Sequence, residues 1–105
     1  MRDGGARLAR ATDAIRQAIA AATDIPLATI GEDDDLIDDL RMAMLELESL
    51  SLVLEEIFAI RIPIESIYAS PMYRTAGALA EWAIRASDQA AWAEAQRGPQ
   101  RIRRA

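Results

Sequence analysis

Apolar residues recur at three- and four-residue spacing in three separate stretches, with prolines between them. That period admits amphipathic helices and excludes half-buried strands. In residues 6–22 the stripe is Leu8, Ala11, Ile15, Ala18, Ile19 and Ala22, with Arg7, Arg10, Asp13, Arg16 and Gln17 turned away from it. The second stretch, 42–60, sets Leu47, Leu50, Leu54, Ile57 and Phe58 within one arc of about 100° on a helical wheel. The third opens after Thr75, whose hydroxyl suits an N-cap. It carries Leu79, Trp82, Ala83, Ala86, Ala90 and Ala93 towards Gln96, where Gly98-Pro99 is expected to stop it. Pro63 and Pro71 bracket a short helix or turn over 64–70, with Ile64, Ile67 and Tyr68 to pack. No stretch alternates with period two, so the expected class is all-α, with four helices.

The connection after the first helix, residues 23–39, is long for a compact domain, so it must be functional or tethered. Ile25, Leu27, Ile30, Leu36 and Leu40 are the expected tethers. Its crowded acids predict that some lie near a helix N-terminus, where the dipole relieves repulsion. The expected organisation is a flexible N-terminus at 1–5, one helical domain over 6–96 and an Arg-rich tail at 97–105. Of Trp82 and Trp92, one is expected to anchor the core and the other to pack at its edge.

The chain has neither cysteine nor histidine. Disulfides, thiol nucleophiles, imidazole bases and the usual zinc ligands are therefore excluded. No apolar run is long enough to span a membrane, and no apolar segment of signal-peptide type follows residues 1–5. A cytoplasmic protein is the expectation. All twelve basic residues are Arg, which with the alanine excess points to a GC-rich bacterial genome. Residues 32–56 hold ten acids and one base, Arg41, a local charge of −9. Residues 97–104 hold four Arg and no acid. The acidic stretch argues against nucleic acid and anionic membrane as partners and for basic protein surfaces. The tail reads first as a solvated end, though its charge also complements the acidic face of a neighbour. Ala86, Ala90, Trp92 and Ala93 offer a further route to self-association, so the chain is expected to be a monomer or a weak homo-oligomer.

Helix, long acidic loop, acidic helix, short helix and final helix is an order that resembles the acyl carrier proteins. Three stretches and one spacing carry the likeness. Ile30 stands six residues before Leu36-Ile37-Asp38-Asp39-Leu40, which is similar to the family's loop ending. Leu54-Glu55-Glu56-Ile57-Phe58-Ala59-Ile60-Arg61-Ile62-Pro63 resembles its Leu-Glu-Glu-x-Phe-x-x-x-Ile-Pro. Thr75-Ala76-Gly77-Ala78-Leu79-Ala80-Glu81-Trp82 resembles the Thr-Val-Gly-Asp-Leu-Ala-Glu-Tyr that opens its last helix. The distance from Leu40 to Phe58 fits without a gap. The likeness covers residues 6–86 and implies a four-helix carrier bundle, with a long first loop and an extended C-terminal helix.

The departure lies at the centre. The family carries Leu-Gly-x-Asp-Ser-Leu, and its serine holds 4′-phosphopantetheine. Here the same register reads Leu40-Arg41-Met42-Ala43-Met44-Leu45. A thioether has no hydroxyl to form the phosphodiester, so no cofactor is expected on the chain as written. Three readings fit Met44: an ordinary helix-start methionine in a protein that is no carrier, a serine replaced to hold the apo form, or a natural homologue that has lost loading. Glu48-Ser49-Leu50 resembles Asp-Ser-Leu five residues late, which makes Ser49 an alternative attachment position. Its plainer reading is an exposed helix serine.

Leu45 and Leu52 fall outside the core arc among carboxylates, a pattern that suits a small protein-docking patch. The resemblance assigns this face to the basic surfaces of acyl-chain enzymes and of phosphopantetheinyl transferase. Glu46, Glu55 and Glu56 match acidic positions that the family uses there, and with Leu45, Glu48 and Leu52 they make up the expected partner-contact set. Glu48 and Ser49 differ from what the family usually carries there, which suggests a dedicated partner set. The implied function is an acyl carrier protein of fatty-acid, lipid or related acyl-chain metabolism, not an enzyme, without its attachment serine. The alternative is a non-covalent adaptor that binds a partner enzyme through the acidic second helix. No metal site is expected.

Overall fold

The computed structural model describes residues 2–61, 64–70 and 73–104, with side chains from Gly5 to Gln96 except at Ile64. Pro63 and Pro71, the expected breaks after the second and third helices, lie outside the described residues. The helices are α1 (Arg2–Ala22), α2 (Met44–Phe58), α3 (Ile64–Ala69) and α4 (Ala76–Arg104). A single 3-10 turn at Leu27–Thr29 interrupts the long connection. No strand occurs among the described residues, so the protein is all-α.

Both outer helices are longer than expected. α1 begins at Arg2 rather than Ala6. Ala, Arg and Leu from Ala6 onward are strong helix formers, and they carry the helix back past Gly4 and Gly5, although each glycine costs about 1 kcal/mol relative to Ala. At the other end α4 continues through Gly98-Pro99 to Arg104. Ala90, Ala91, Ala93 and Ala95 favour the helix strongly, and Pro99 removes one backbone donor from it. Thr75 caps α4 as expected: its Oγ1 accepts the Ala78 N–H at 3.0 Å.

The helical stripes meet in one core. Ile15, Ile19, Ile30, Leu36, Leu47, Leu50, Leu54, Ile67 and Leu79 are fully buried. α1 packs on α2 and α4, and α2 also meets α3 and α4. Ile57 departs from the expected arc and is 49% exposed. It sits at the edge of that arc near the end of α2, and Ser51, on the opposite edge, is buried in its place. Leu27 is also exposed, because the 3-10 turn points it outward while its neighbour in the loop, Ile30, goes in. Trp82 is the half-buried tryptophan, edge-on to Tyr73 at 5.9 Å, whereas Trp92 is exposed.

Backbone bonds fasten the long loop to the bundle. The Leu36 N–H donates to Arg74 O at 2.7 Å, the Gly77 N–H to Glu32 O at 3.0 Å and the Met42 N–H to Leu36 O at 2.9 Å. Arg16, expected to face solvent, folds back instead: its Nε donates to Ile30 O at 2.6 Å and its Nη2 to Leu27 O at 3.0 Å. The acids do not all rely on helix dipoles. Asp35 Oδ1 accepts the N–H groups of Ile37 and Asp38, both at 2.8 Å, and Asp34 Oδ2 accepts that of Gly31 at 2.8 Å. Each carboxylate thus satisfies a local donor that the irregular backbone leaves open.

Candidate functional site: the start and outer face of α2

The chain enters α2 through four differently shaped residues. Leu40 closes a turn onto Asp35, its N–H donating to Asp35 O at 2.9 Å. Arg41 takes a left-handed backbone with φ 55°, a conformation that costs a side-chain-bearing residue about 1–2 kcal/mol. Met42 is buried and pins the turn to the core. Ala43 is extended, with φ −78° and ψ 164°, the geometry of an N-cap residue. Alanine offers no acceptor, however, so half of the usual capping arrangement is missing. The other half is present: Glu46 Oε1 accepts the Ala43 N–H at 2.7 Å. The helix therefore begins at Met44, not Met42, and ends at Phe58, where Ala59 turns left-handed with φ 55°.

Met44 is the first helical residue and is 47% exposed. Its side chain lies on a groove of about 480 Å³ between α2 and α3, lined by Met44, Glu48, Glu65, Tyr68 and Ala69. Arg74 secures the far wall. Its Nε donates to Ile67 O at 3.1 Å and its Nη2 to Tyr68 O at 2.7 Å, which satisfies carbonyls at the end of α3.

Leu45 and Leu52 are 75% and 64% exposed, two turns apart on the outer side of α2. Glu48, Ser49 and Glu56 are exposed around them, and Glu55 is half-buried at the margin. These residues form one acidic face with two apolar points. Glu46 does not share it. It is half-buried, lies on another side of the helix and is engaged with the Ala43 N–H. Ser49 sits inside α2, beyond its first turn, so it lacks the helix-start position that Met44 has. Val53, to which the wheel gave no role, and Ile57, which it placed in the core arc, form a second exposed apolar pair one turn apart. Arg16 and Arg74 are the other residues that sequence reasoning missed. An arginine that binds main-chain carbonyls leaves no pattern in the sequence, because its partners are set by tertiary approach. Glu46 did leave a signal: a Glu three residues after a helix cap is the expected reciprocal partner.

Among the described residues, no group of three or more acids is placed to hold a metal ion, and no helix is long and apolar enough to cross a membrane. No family model matches the chain, and no curated protein matches it.

Proposed function

We propose that this chain is an acyl-carrier-type domain of acyl-chain metabolism that docks partners through the outer face of α2 and whose attachment residue is replaced by Met44. One observation supports the reading: at two positions between Leu40 and Met44 the backbone has a conformation that the residue of the pattern Leu-Gly-x-Asp-Ser-Leu would favour. Arg41, at the glycine position, has the left-handed φ that glycine accommodates without strain. Ala43, at the aspartate position, has N-cap geometry, which aspartate suits. Met44, at the serine position, is exposed at the helix start beside an apolar groove. Gly77, in the Thr-x-Gly stretch, also fits, since its N–H meets the loop carbonyl of Glu32 and a Cβ there would stand 3.4 Å from that oxygen.

Loading of a carrier would join a serine oxygen to the phosphopantetheine phosphorus of coenzyme A as the pyrophosphate bond breaks and 3′,5′-ADP leaves, and the arm would then carry acyl groups as thioesters. Met44 offers no such oxygen, so this chain presents the docking surface alone. The absence of that hydroxyl also favours a second reading, an adaptor that binds a partner enzyme through α2 and carries no cargo.

Both readings need the outer face of α2 to bind a basic partner such as a phosphopantetheinyl transferase, in a cytoplasmic setting. Binding kinetics against such an enzyme at two salt concentrations test this. Glu55→Arg with Glu56→Arg should slow association and weaken its salt dependence, because charges at a rim act mainly on encounter. Leu52→Ala should speed dissociation and change stability by less than about 0.5 kcal/mol. Leu54→Ala, fully buried, should cost about 2–5 kcal/mol. If Leu52→Ala leaves dissociation unchanged, this face is not the docking surface.

A further inference from the structure

The groove beside Met44 borders the acidic face of α2 at Glu48, and its other wall, Glu65, Tyr68 and Ala69 of α3, has a chemistry that the carrier reading leaves unused. Its walls are mostly apolar, from Met44, Tyr68 and Ala69, and Glu48 and Glu65 add two carboxylates. Both glutamates are exposed, and neither has an ion-pair partner among the described residues. Apolar walls with two such carboxylates suit arginine, whose stem packs on apolar surface while its guanidinium pairs with carboxylate.

The chain carries a segment of that composition. Arg101-Ile102-Arg103-Arg104 sets an apolar residue among arginines and closes a stretch, 97–104, with four Arg and no acid. It cannot reach the groove of its own copy. α3 ends at Ala69, and the Arg74 to Tyr68 bond holds the groove near the start of α4. α4 then runs for 29 residues, which at about 1.5 Å each carries its final arginines about 40 Å away.

We propose that two copies form a symmetric dimer in which the α4 helices lie antiparallel and the Arg-Ile-Arg-Arg end of each docks in the Met44–Tyr68 groove of the other. The start of one α4 then faces the end of the other, so the exchange is reciprocal and closes. Trp92, 67% exposed, lies on the stretch of α4 between groove and tail and gains cover in that pairing. Charge favours a second copy over a polyanion, since the arginines meet a region of net charge −9 while the chain as a whole carries −5. The inference is independent of the carrier reading, because it uses only the groove, the tail and the length of α4.

Sedimentation velocity on the full chain tests it, in dilute buffer and at about 1 M salt, where the screening length falls to about 3 Å. A dimer is expected in dilute buffer and a monomer at high salt. Arg101→Glu with Arg103→Glu and Arg104→Glu should give a monomer in both, with its helix content by circular dichroism unchanged. Glu48→Arg with Glu65→Arg should do the same, and all five changes together should restore the dimer. A synthetic peptide of residues 97–105 should bind the tail-reversed chain, and roughly tenfold more weakly once Glu48→Arg and Glu65→Arg are added to that chain. A full chain that stays monomeric in dilute buffer, a dimer that survives reversal of the tail, or peptide binding indifferent to the two glutamates would overturn the proposal.

Discussion

Ala43→Asp should stabilise this protein, although it adds a negative charge to its most acidic region. Ala43 already has the extended backbone of a cap residue, with φ −78° and ψ 164°, so an aspartate there needs no backbone movement. The amide groups of the first turn of α2 have no intrahelical acceptor, and alanine supplies none. An Asp side chain would accept the N–H of Leu45 or Glu46 and complete the arrangement that Glu46 half makes by accepting the Ala43 N–H at 2.7 Å. A cap of this kind contributes about 1 kcal/mol, and the helix dipole adds a few tenths for the charged form. Repulsion from nearby acids, Glu46 first among them, removes a similar few tenths in physiological salt. The net expectation is a gain of about 1 kcal/mol, or roughly 4–8 °C in melting temperature for a domain of this size. Urea and thermal melts of Ala43→Asp beside Ala43→Asn separate the cap from the charge, since both side chains cap and only one is ionised. If neither variant gains stability, Ala43 is not the cap of α2, and the match of this turn to the carrier pattern fails with it.

Arg41→Gly should stabilise by about 0.5–1 kcal/mol, the left-handed strain relieved less the extra freedom glycine gains when unfolded; an equilibrium melt showing a loss would mean that the Arg41 side chain outweighs its backbone strain. The exposed pair of Arg7 and Asp88, 2.8 Å apart, should make stability weakly pH-dependent. The hydrogen bond from Arg7 holds the Asp88 carboxyl below its ordinary value of 3.8, against an opposing desolvation and with a lesser contribution from the Arg7 charge. Its contribution is therefore present above that value and lost as pH falls through the lower folded one. Asp88→Asn should be the less stable chain near neutral pH, and the difference should shrink in acid; a difference that persists in acid points to packing instead.

The parts of the fold that depend on period were legible from the residues. Leu47, Leu50 and Leu54 repeat at helical spacing and are buried, and Thr75 announces the start of α4 through a hydroxyl placed before an apolar stripe. Leu45 and Leu52 were legible for the converse reason, since the same wheel leaves them outside. Ends and edges were harder to read. α2 starts two residues later than expected because Arg41 and Ala43 take non-helical backbones, which sequence period does not encode. Ile57 belongs to the arc by angle, but it lies at the arc's edge and stays half exposed while Phe58 beside it packs against the core. The groove beside Met44 was hidden too, because it depends on how Arg74 anchors α3 against residues distant in sequence.

The central claim is that Met44 occupies the attachment position of a carrier-type fold, and intact mass spectrometry tests it most directly. The chain and its Met44→Ser variant are incubated with coenzyme A and a broad-specificity phosphopantetheinyl transferase. The account predicts no change in the mass of the unaltered chain and a gain of one phosphopantetheine arm on the variant, with the fragment ions placing it on residue 44. A gain on the unaltered chain would move the attachment to Ser49 or another hydroxyl and contradict the register. A folded Met44→Ser chain, further changed to Ala43→Asp, that still takes up no arm would contradict the carrier reading itself.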